Sequence, residues 1–167
     1  RQPASWFSFI SWMAVPFTVI ALPDTQFYSQ THTTIGLAQM DWIRDNRVAR
    51  NIVAVTELGD CVNNADQAYQ WVNADATHDV LENPTTTGLA DGIPYGVAVG
   101  NHEFDWNADT LQRRVAELEC AALGANMIER RTGRMPRWAR ADTVFARRGL
   151  KVGVMGLCYR ETPTVTL

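Results

Sequence analysis

The sequence predicts an α/β fold built on a largely parallel central sheet, and three observations lead there. Short apolar runs bounded by glycine or proline alternate along the chain with longer stretches of helical apolar spacing, as in successive β-α-β units. Hydrophobic residues make up 46% of the chain and charged residues 20%, which excludes a disordered polymer. The length, 167 residues, suffices for one domain with a sizeable core.

From Gln2 to Pro23 there is no charge, and "WFSFISWMAVPFTVIAL" approaches the roughly twenty apolar residues that span a bilayer. Pro16 interrupts the run, so residues 1–16 read as a leader or export-signal remnant, with no stable membrane span. An exported, extracytoplasmic or secreted protein is the corresponding expectation. The domain then occupies 17–167.

The first strand is "FTVIAL", β-branched and followed by Pro23, Asp24, Thr25 and Gln26. "TIGLAQMDWIRDNRVAR" follows as a surface helix, with Ile35, Ala38, Trp42 and Ile43 at helical spacing and Asp41, Arg44, Asp45 and Arg47 mostly elsewhere on the wheel. "NIVAVTELGD" supplies a second strand, from Ile52 to Val55 or Leu58, ending in Gly59 and Asp60. A second helix is expected from about Ala65 to Leu81, with Ala68, Tyr69, Trp71, Val72 and Ala76 as its apolar members. "ENPTTTGLADG" is a loop by composition. Tyr95 to Val99 forms the third strand, Asp109 to Leu118 a helix, and "AALGAN" is too short to assign. "TVFARRGLKVGVMGL" reads as two strands joined by a turn at Arg148 and Gly149.

Charge is unevenly spread. Through Thr110 the chain carries four basic and thirteen acidic side chains, and beyond it eleven basic and five acidic. The three cysteines, Cys61, Cys120 and Cys158, lie far apart without a CxxC pair, so neither a disulfide framework nor a thiolate zinc site is expected, and Cys61 reads as a small buried filler.

The acidic part holds the chemistry. "VIALPDTQ", "VAVTELGDCVN" and "GVAVGNHEFD" each place hard oxygen donors just beyond a buried strand: Asp24 with Gln26, Asp60 with Asn63, and Asn101 with Glu103. Parallel strands deliver their C-terminal ends to one edge, where ligands of open α/β sheets bind. Clustered carboxylates repel unless a cation neutralises them, and carboxylate, amide oxygen and imidazole are donors for magnesium, manganese, zinc or iron. Two such ions bridged by Asp60 would suit phosphoester chemistry, activating water and neutralising phosphate oxygens. Each position also has an ordinary reading: Asp24 as a cap or turn residue, Gly59-Asp60 as a strand-ending turn, His102 as a structural histidine. For the site to be an illusion, all three must hold at consecutive strand ends.

"PDTQFYS", "LGDCVNN" and "GNHEFD" resemble, in order, the first three signature blocks of the calcineurin-like metallophosphoesterases, D-x-H, G-D-x-x and G-N-H-[DE]. The resemblance implies a two-sheet sandwich flanked by helices, incomplete at its C-terminal end here, with two divalent metal ions and hydrolysis of phosphoesters. Up to Asn101 the wording is similar to bacterial exported phosphoesterases with Gln in the first block. From His102 on, "EFDWNADTLQRRVAE", "TGRMPRWA" and "KVGVMGL" look like bacterial 5′-nucleotidases, which suggests a truncated or composite sequence. Carried over by residue, the resemblance gives Asp24 and Gln26 to one metal, Asp60 to both and Asn101 to the second. His102 then serves the leaving group, with Glu103 orienting its imidazole. Gln26 stands for the commoner histidine, a change that favours oxygen-loving ions. Glu57 receives no role. His32 and His78 are expected to be solvent-facing or structural.

Two functional classes follow. The first is a divalent-metal-dependent phosphoester hydrolase, a phosphomonoesterase or 5′-nucleotidase-like phosphatase acting on a phosphorylated small molecule or nucleotide. The second is a non-catalytic truncated or composite domain that binds a cation weakly and acts as a binding or interaction module. It is raised because no histidine follows His102, whereas the family's second metal takes histidines from two later blocks. "RRTGRMPRWARADTVFARR" holds seven arginines, but a solvated loop and hairpin face accounts for them, and no nucleic-acid partner is expected. No G-x-x-x-x-G-K-[ST] or G-x-G-x-x-G element supports triphosphate or dinucleotide binding by those routes.

Overall fold

A computed structural model describes residues 16–105, 107–117, 120–147, 149–158 and 162. The leader expected before Pro16, Leu118 at the end of its helix and Arg148 of the last turn lie outside them. The elements run β1 (Thr18–Leu22), α1 (Gln26–Gln30), α2 (Thr33–Asn46), β2 (Ile52–Glu57), α3 (Ala68–Glu82), α4 (Pro84–Thr87), β3 (Tyr95–Ala98), a 3-10 turn (His102–Phe104), α5 (Ala108–Val115), β4 (Ala121–Leu123), β5 (Asp142–Arg147) and β6 (Leu150–Met155).

Strands β1, β2, β3 and β4 form one sheet in that order, parallel throughout, while β5 and β6 pair as an antiparallel hairpin. The α/β expectation is met. In β2 the run Ile52–Val55 is buried at every residue rather than at alternate ones, as a central strand covered on both faces requires. On one face α2 and α3 contribute Met40, Ile43, Ala74 and Leu81 to a core with Leu22, Ile52, Val55 and Val97. The hairpin lies against the sheet from elsewhere: a methyl group on Gly96 of β3 would sit 3.7 Å from both Phe145 Cζ and Thr143 Cγ2 of β5. The result is a four-stranded parallel sheet with helices and a second, two-stranded layer. A smaller core of Val99, Leu111, Ala122, Met127, Ala139 and Cys158 lies around β4 and α5.

The two long helices bury faces that match the apolar spacing only at Ile43 and, in part, Trp71. In α2 the buried residues are Gly36, Met40 and Ile43, while Ile35 and Trp42 are exposed. Gly36 turns inward because α3 passes close: a Cβ there would meet Thr77 Cγ2 at 3.1 Å. In α3 the inner face is Gln70, Ala74, Thr77, His78 and Leu81, and Tyr69 and Val72 are exposed. Burying a side chain such as Ile43 or Leu81 contributes about 2 kcal/mol, enough to set the face once the inward polar groups find partners. They do so: Gln70 Oε1 accepts from the amides of Asn63 and Asn64, at 2.8 and 2.9 Å.

Two short elements escaped the sequence reading. Within the expected loop "ENPTTTGLADG", Pro84–Thr87 closes a helical turn because Asn83 caps the amides of Thr85 and Thr86, Pro84 opens the helix, and Gly88 ends it at φ +66°. "AALGAN" yields β4, whose Ala121–Leu123 run pairs with Gly96–Ala98 of β3.

Candidate functional site

The C-terminal ends of β1, β2 and β3 lie at one edge of the sheet, since the three strands are parallel and adjacent. Beyond β1, Asp24 is exposed and Gln26 buried. The Gln26 backbone N–H donates to Asp24 Oδ1 at 3.1 Å, and its side-chain Nε2 donates to Asp24 Oδ2 at 2.8 Å. With the amide nitrogen turned to Asp24, Oε1 points away, and this buried oxygen has no hydrogen-bond partner. Such an orphan acceptor invites a donor or a cation.

The loops after β2 and β3 lock into each other. Gly59 has φ +106° and Asp60 φ +50°. A Cβ on Gly59 would lie 2.7 Å from Gly100 N, and one on Gly100 would lie 2.1 Å from Asp60 Oδ1, so both positions need glycine for close approach. Asp60 Oδ1 accepts from the His102 backbone N–H at 2.9 Å. Glu103 points inward and is 4% exposed. Its carboxylate accepts from the backbone N–H groups of Asp60, Cys61 and Gly100, at 3.2, 2.6 and 2.8 Å. Asn101 sits half-buried at the start of the 3-10 turn and makes no side-chain cap bond there.

His102 is oriented differently from the expectation. Its Nδ1 pairs with Asp105 Oδ2 at 2.8 Å, while Glu103 is engaged with the backbone. Asp105 lies three residues on, and the 3-10 turn His102–Phe104 brings positions i and i+3 into line, which the spacing H-E-F-D already contained.

Electrostatics tie the three loops together. Although Asp24 is exposed, partial desolvation on its inner side pushes its carboxyl up from the usual range, the Gln26 amide offsets part of this, and the negative charge of Asp60 raises it again. Burial and then Asp60 push Glu103 up to about 8, against the pull of its amide donors. Asp24 thus senses the charges of Asp60 and His102. Cys61 is buried and its thiol is raised by burial and by Glu57, in keeping with a filler.

Beneath the rim lies a polar group that the sequence reading left aside. Glu57, the last residue of β2, is 1% exposed, and its Oε2 meets His78 Nε2 of α3 at 2.7 Å. Its Oε1 accepts the hydroxyl of Thr25, which stands between Asp24 and Gln26. His78 is therefore structural rather than solvent-facing; its ring stacks on Tyr95 at 5.0 Å, and Nδ1 meets the Ala74 carbonyl at 2.8 Å. Burial alone would lower the His78 pKa, but the hydrogen bond and charge of Glu57 hold it above its usual range. The available signal was a carboxylate inside the apolar run "IVAVTEL". His32, by contrast, is exposed ahead of α2.

Among the described residues no group of three or more His, Cys, Asp or Glu side chains is arranged to hold a metal ion. The expected donor set contains two carboxylates, Asp24 and Asp60, with two amides, Gln26 and Asn101. No described helix is long and apolar enough to cross a membrane. Arg130, Arg131, Arg134, Arg137 and Arg140 are exposed.

No family model matches the chain. It is 38% identical over 87 residues, 52% of its length, to the uncharacterized protein YvnB of Bacillus subtilis (strain 168). It is 35% identical over 66 residues, 40% of its length, to a 5′-nucleotidase of Vibrio vulnificus (strain CMCP6). The chain spans 6% of the first relative and 12% of the second. Its fold is that of part of two solved structures, each 18% identical in sequence. One is the 5′-nucleotidase precursor of Thermus thermophilus, at TM-score 0.59 over 90% of this chain and 30% of that one. The other is the NAD nucleotidase of Haemophilus influenzae, at TM-score 0.61 over 91% of this chain and 28% of that one.

Proposed function

We propose that the chain carries the first half of the site of a divalent-metal-dependent phosphoester hydrolase, of the calcineurin-like kind, acting on phosphomonoesters or 5′-nucleotides. The observation that carries this reading is the buried, unpartnered Gln26 Oε1, whose amide nitrogen is held by Asp24, in the loop after β1 beside the strands that lead to Asp60 and Asn101. The donors fit a hard cation: two carboxylates and two amide oxygens are oxygen ligands throughout. Asp24 and Gln26 would hold one ion, Asp60 both, and Asn101 the second. When bound, such ions supply positive charge for the phosphate oxygens and acidify water for attack at phosphorus.

The chain's own residues prepare the rest. Glu103 gathers three backbone amides, so that Asp60 and Asn101 are presented from one rigid unit. Asp105 on Nδ1 sets the ring of His102, which leaves Nε2 to stabilise charge or donate a proton at the leaving group. The 5′-nucleotidase and nucleotidase relatives support a nucleotide-like substrate, and the word precursor in one of their names supports an exported location.

Manganese titration and hydrolysis of an aryl phosphate test the reading together. Asp60→Ala is expected to abolish manganese uptake, and Gln26→Ala to weaken it by about tenfold, the scale of one lost ligand interaction. Equal losses would remove the bridging role from Asp60. Manganese uptake without hydrolysis would leave the cation-binding module as the reading.

A further inference from the structure

Threonine before a helix ordinarily turns its side-chain oxygen onto the first free amides. Thr25 precedes α1 and makes no such cap bond. Its hydroxyl is buried and donates instead to Glu57 Oε1 at the end of β2. Glu57 is in turn held by His78 from α3. The Ala74 carbonyl can only accept, so His78 Nδ1 carries a hydrogen and Nε2 shares a single proton with Glu57. Every polar atom of this relay is used, from α3 through β2 to the loop after β1. An apolar pair could fill the same space with less desolvation, but it could not accept the Thr25 hydroxyl.

That hydroxyl is one residue from each ligand candidate of the loop. Asp24 and Gln26 bond to each other but are not tied to the loops after β2 and β3 by the Glu103 lock. We propose that Glu57, held by His78, is a positioning residue that acts through Thr25 to fix the Asp24–Gln26 segment, so that Gln26 Oε1 faces the shared edge. The consequence for metal affinity rests on the site reading given above; the fixing of Gln26 does not.

Three variants separate the possibilities. Thr25→Val removes the hydroxyl at nearly constant volume, Thr25→Ser keeps it, and Glu57→Gln keeps an acceptor for Thr25 while its amide donates to a neutral His78. In metal-free protein, Thr25→Val is expected to speed exchange of the Gln26 backbone N–H about tenfold, with Thr25→Ser and Glu57→Gln within about twofold of wild type. Manganese affinity, read by electron paramagnetic resonance, should follow the same order. Unchanged Gln26 exchange in Thr25→Val would overturn the proposal, as would a rise shared equally by β1 and β2, which marks general loosening. If wild type takes up no manganese, the metal reading falls and Gln26 exchange alone decides the positioning role.

Discussion

The loops after β2 and β3 and the loop after β1 bring donors to one edge by different physical means. The first two are joined by side-chain carboxylates that accept backbone N–H groups and by a main-chain contact: Glu103 gathers amides from both, Asp60 takes the His102 amide, and Gly59 meets Gly100 without room for a methyl group. The β1 end is held by Thr25 on Glu57 and Glu57 on His78, by the Leu58 N–H on the Leu22 carbonyl, and through α1 by Ser29 on the Cys61 carbonyl and Gln30 on Asn63 and Asn64. Backbone locks tolerate little change, because a clash with main chain cannot be relieved by a rotamer. A side-chain tether can be loosened without dismantling the fold. The difference lies in the contact: the first two loops touch main chain to main chain at Gly59 and Gly100, whereas the Asp24–Gln26 segment reaches β2 through the Thr25 hydroxyl.

The largest effect that would test this contrast is Gly59→Ala. The added Cβ would lie 2.7 Å from Gly100 N and 2.9 Å from the Ala98 carbonyl oxygen, at a φ of +106°. A loss of more than about 3 kcal/mol is expected in urea unfolding, because steric overlap adds to backbone strain. Gly88→Ala is the matched control: its φ is also positive, at +66°, but nothing lies within 4 Å of the added atom. It should cost only about 1 kcal/mol. Similar losses for the two would show that the close approach of Gly59 to Gly100 adds nothing and that the loops are not locked. Next in size is Glu103→Ala, which leaves three backbone amides, one buried and two part-buried, without their acceptor and should cost about 3 kcal/mol. A loss below that of Gly88→Ala would mean that water replaces the carboxylate and that the two loops are held by packing.

The same contrast explains what the sequence made legible. Strand ends announce themselves: "LGD" and "GNHE" join a buried run to a glycine and a polar group, and the parallel order then puts Asp24, Asp60 and Asn101 at one edge. Apolar periodicity served the strands well, since β2 and β3 are buried along most of their length. It caught only part of the inner faces of α2 and α3, at Ile43 and Trp71. There Gly36, Gln70 and His78 face inward because each meets a specific partner, and a hydrophobicity pattern carries no information about partners. The relation of Glu57 to His78 spans 21 positions of sequence and depends on how α3 crosses β2. The pairing of His102 with Asp105 is local and could be anticipated; assigning Glu103 to the imidazole overlooked that an adjacent residue in a turn points elsewhere.

The smallest expected effect concerns the tether itself and is read from pH. Glu57 raises the pKa of His78 above the value of a free imidazole, despite burial. The groups facing this ring are Glu57 from β2, Tyr95 from β3, and the Ala74 carbonyl and Glu82 charge of its own helix. A raised pKa means that the folded state binds the proton more tightly than the unfolded state. The stabilisation is thus complete below the unfolded value of about 6.5 and is lost as pH rises through the folded one. Other groups titrate in the same range, so the informative quantity is the difference between wild type and His78→Gln. Urea midpoints taken from mildly acidic to mildly basic pH should fall more steeply for wild type as pH increases. Parallel profiles would mean that the proton between His78 and Glu57 adds nothing to folding, and the hydroxyl of Thr25 would then be held by an acceptor whose charge is immaterial.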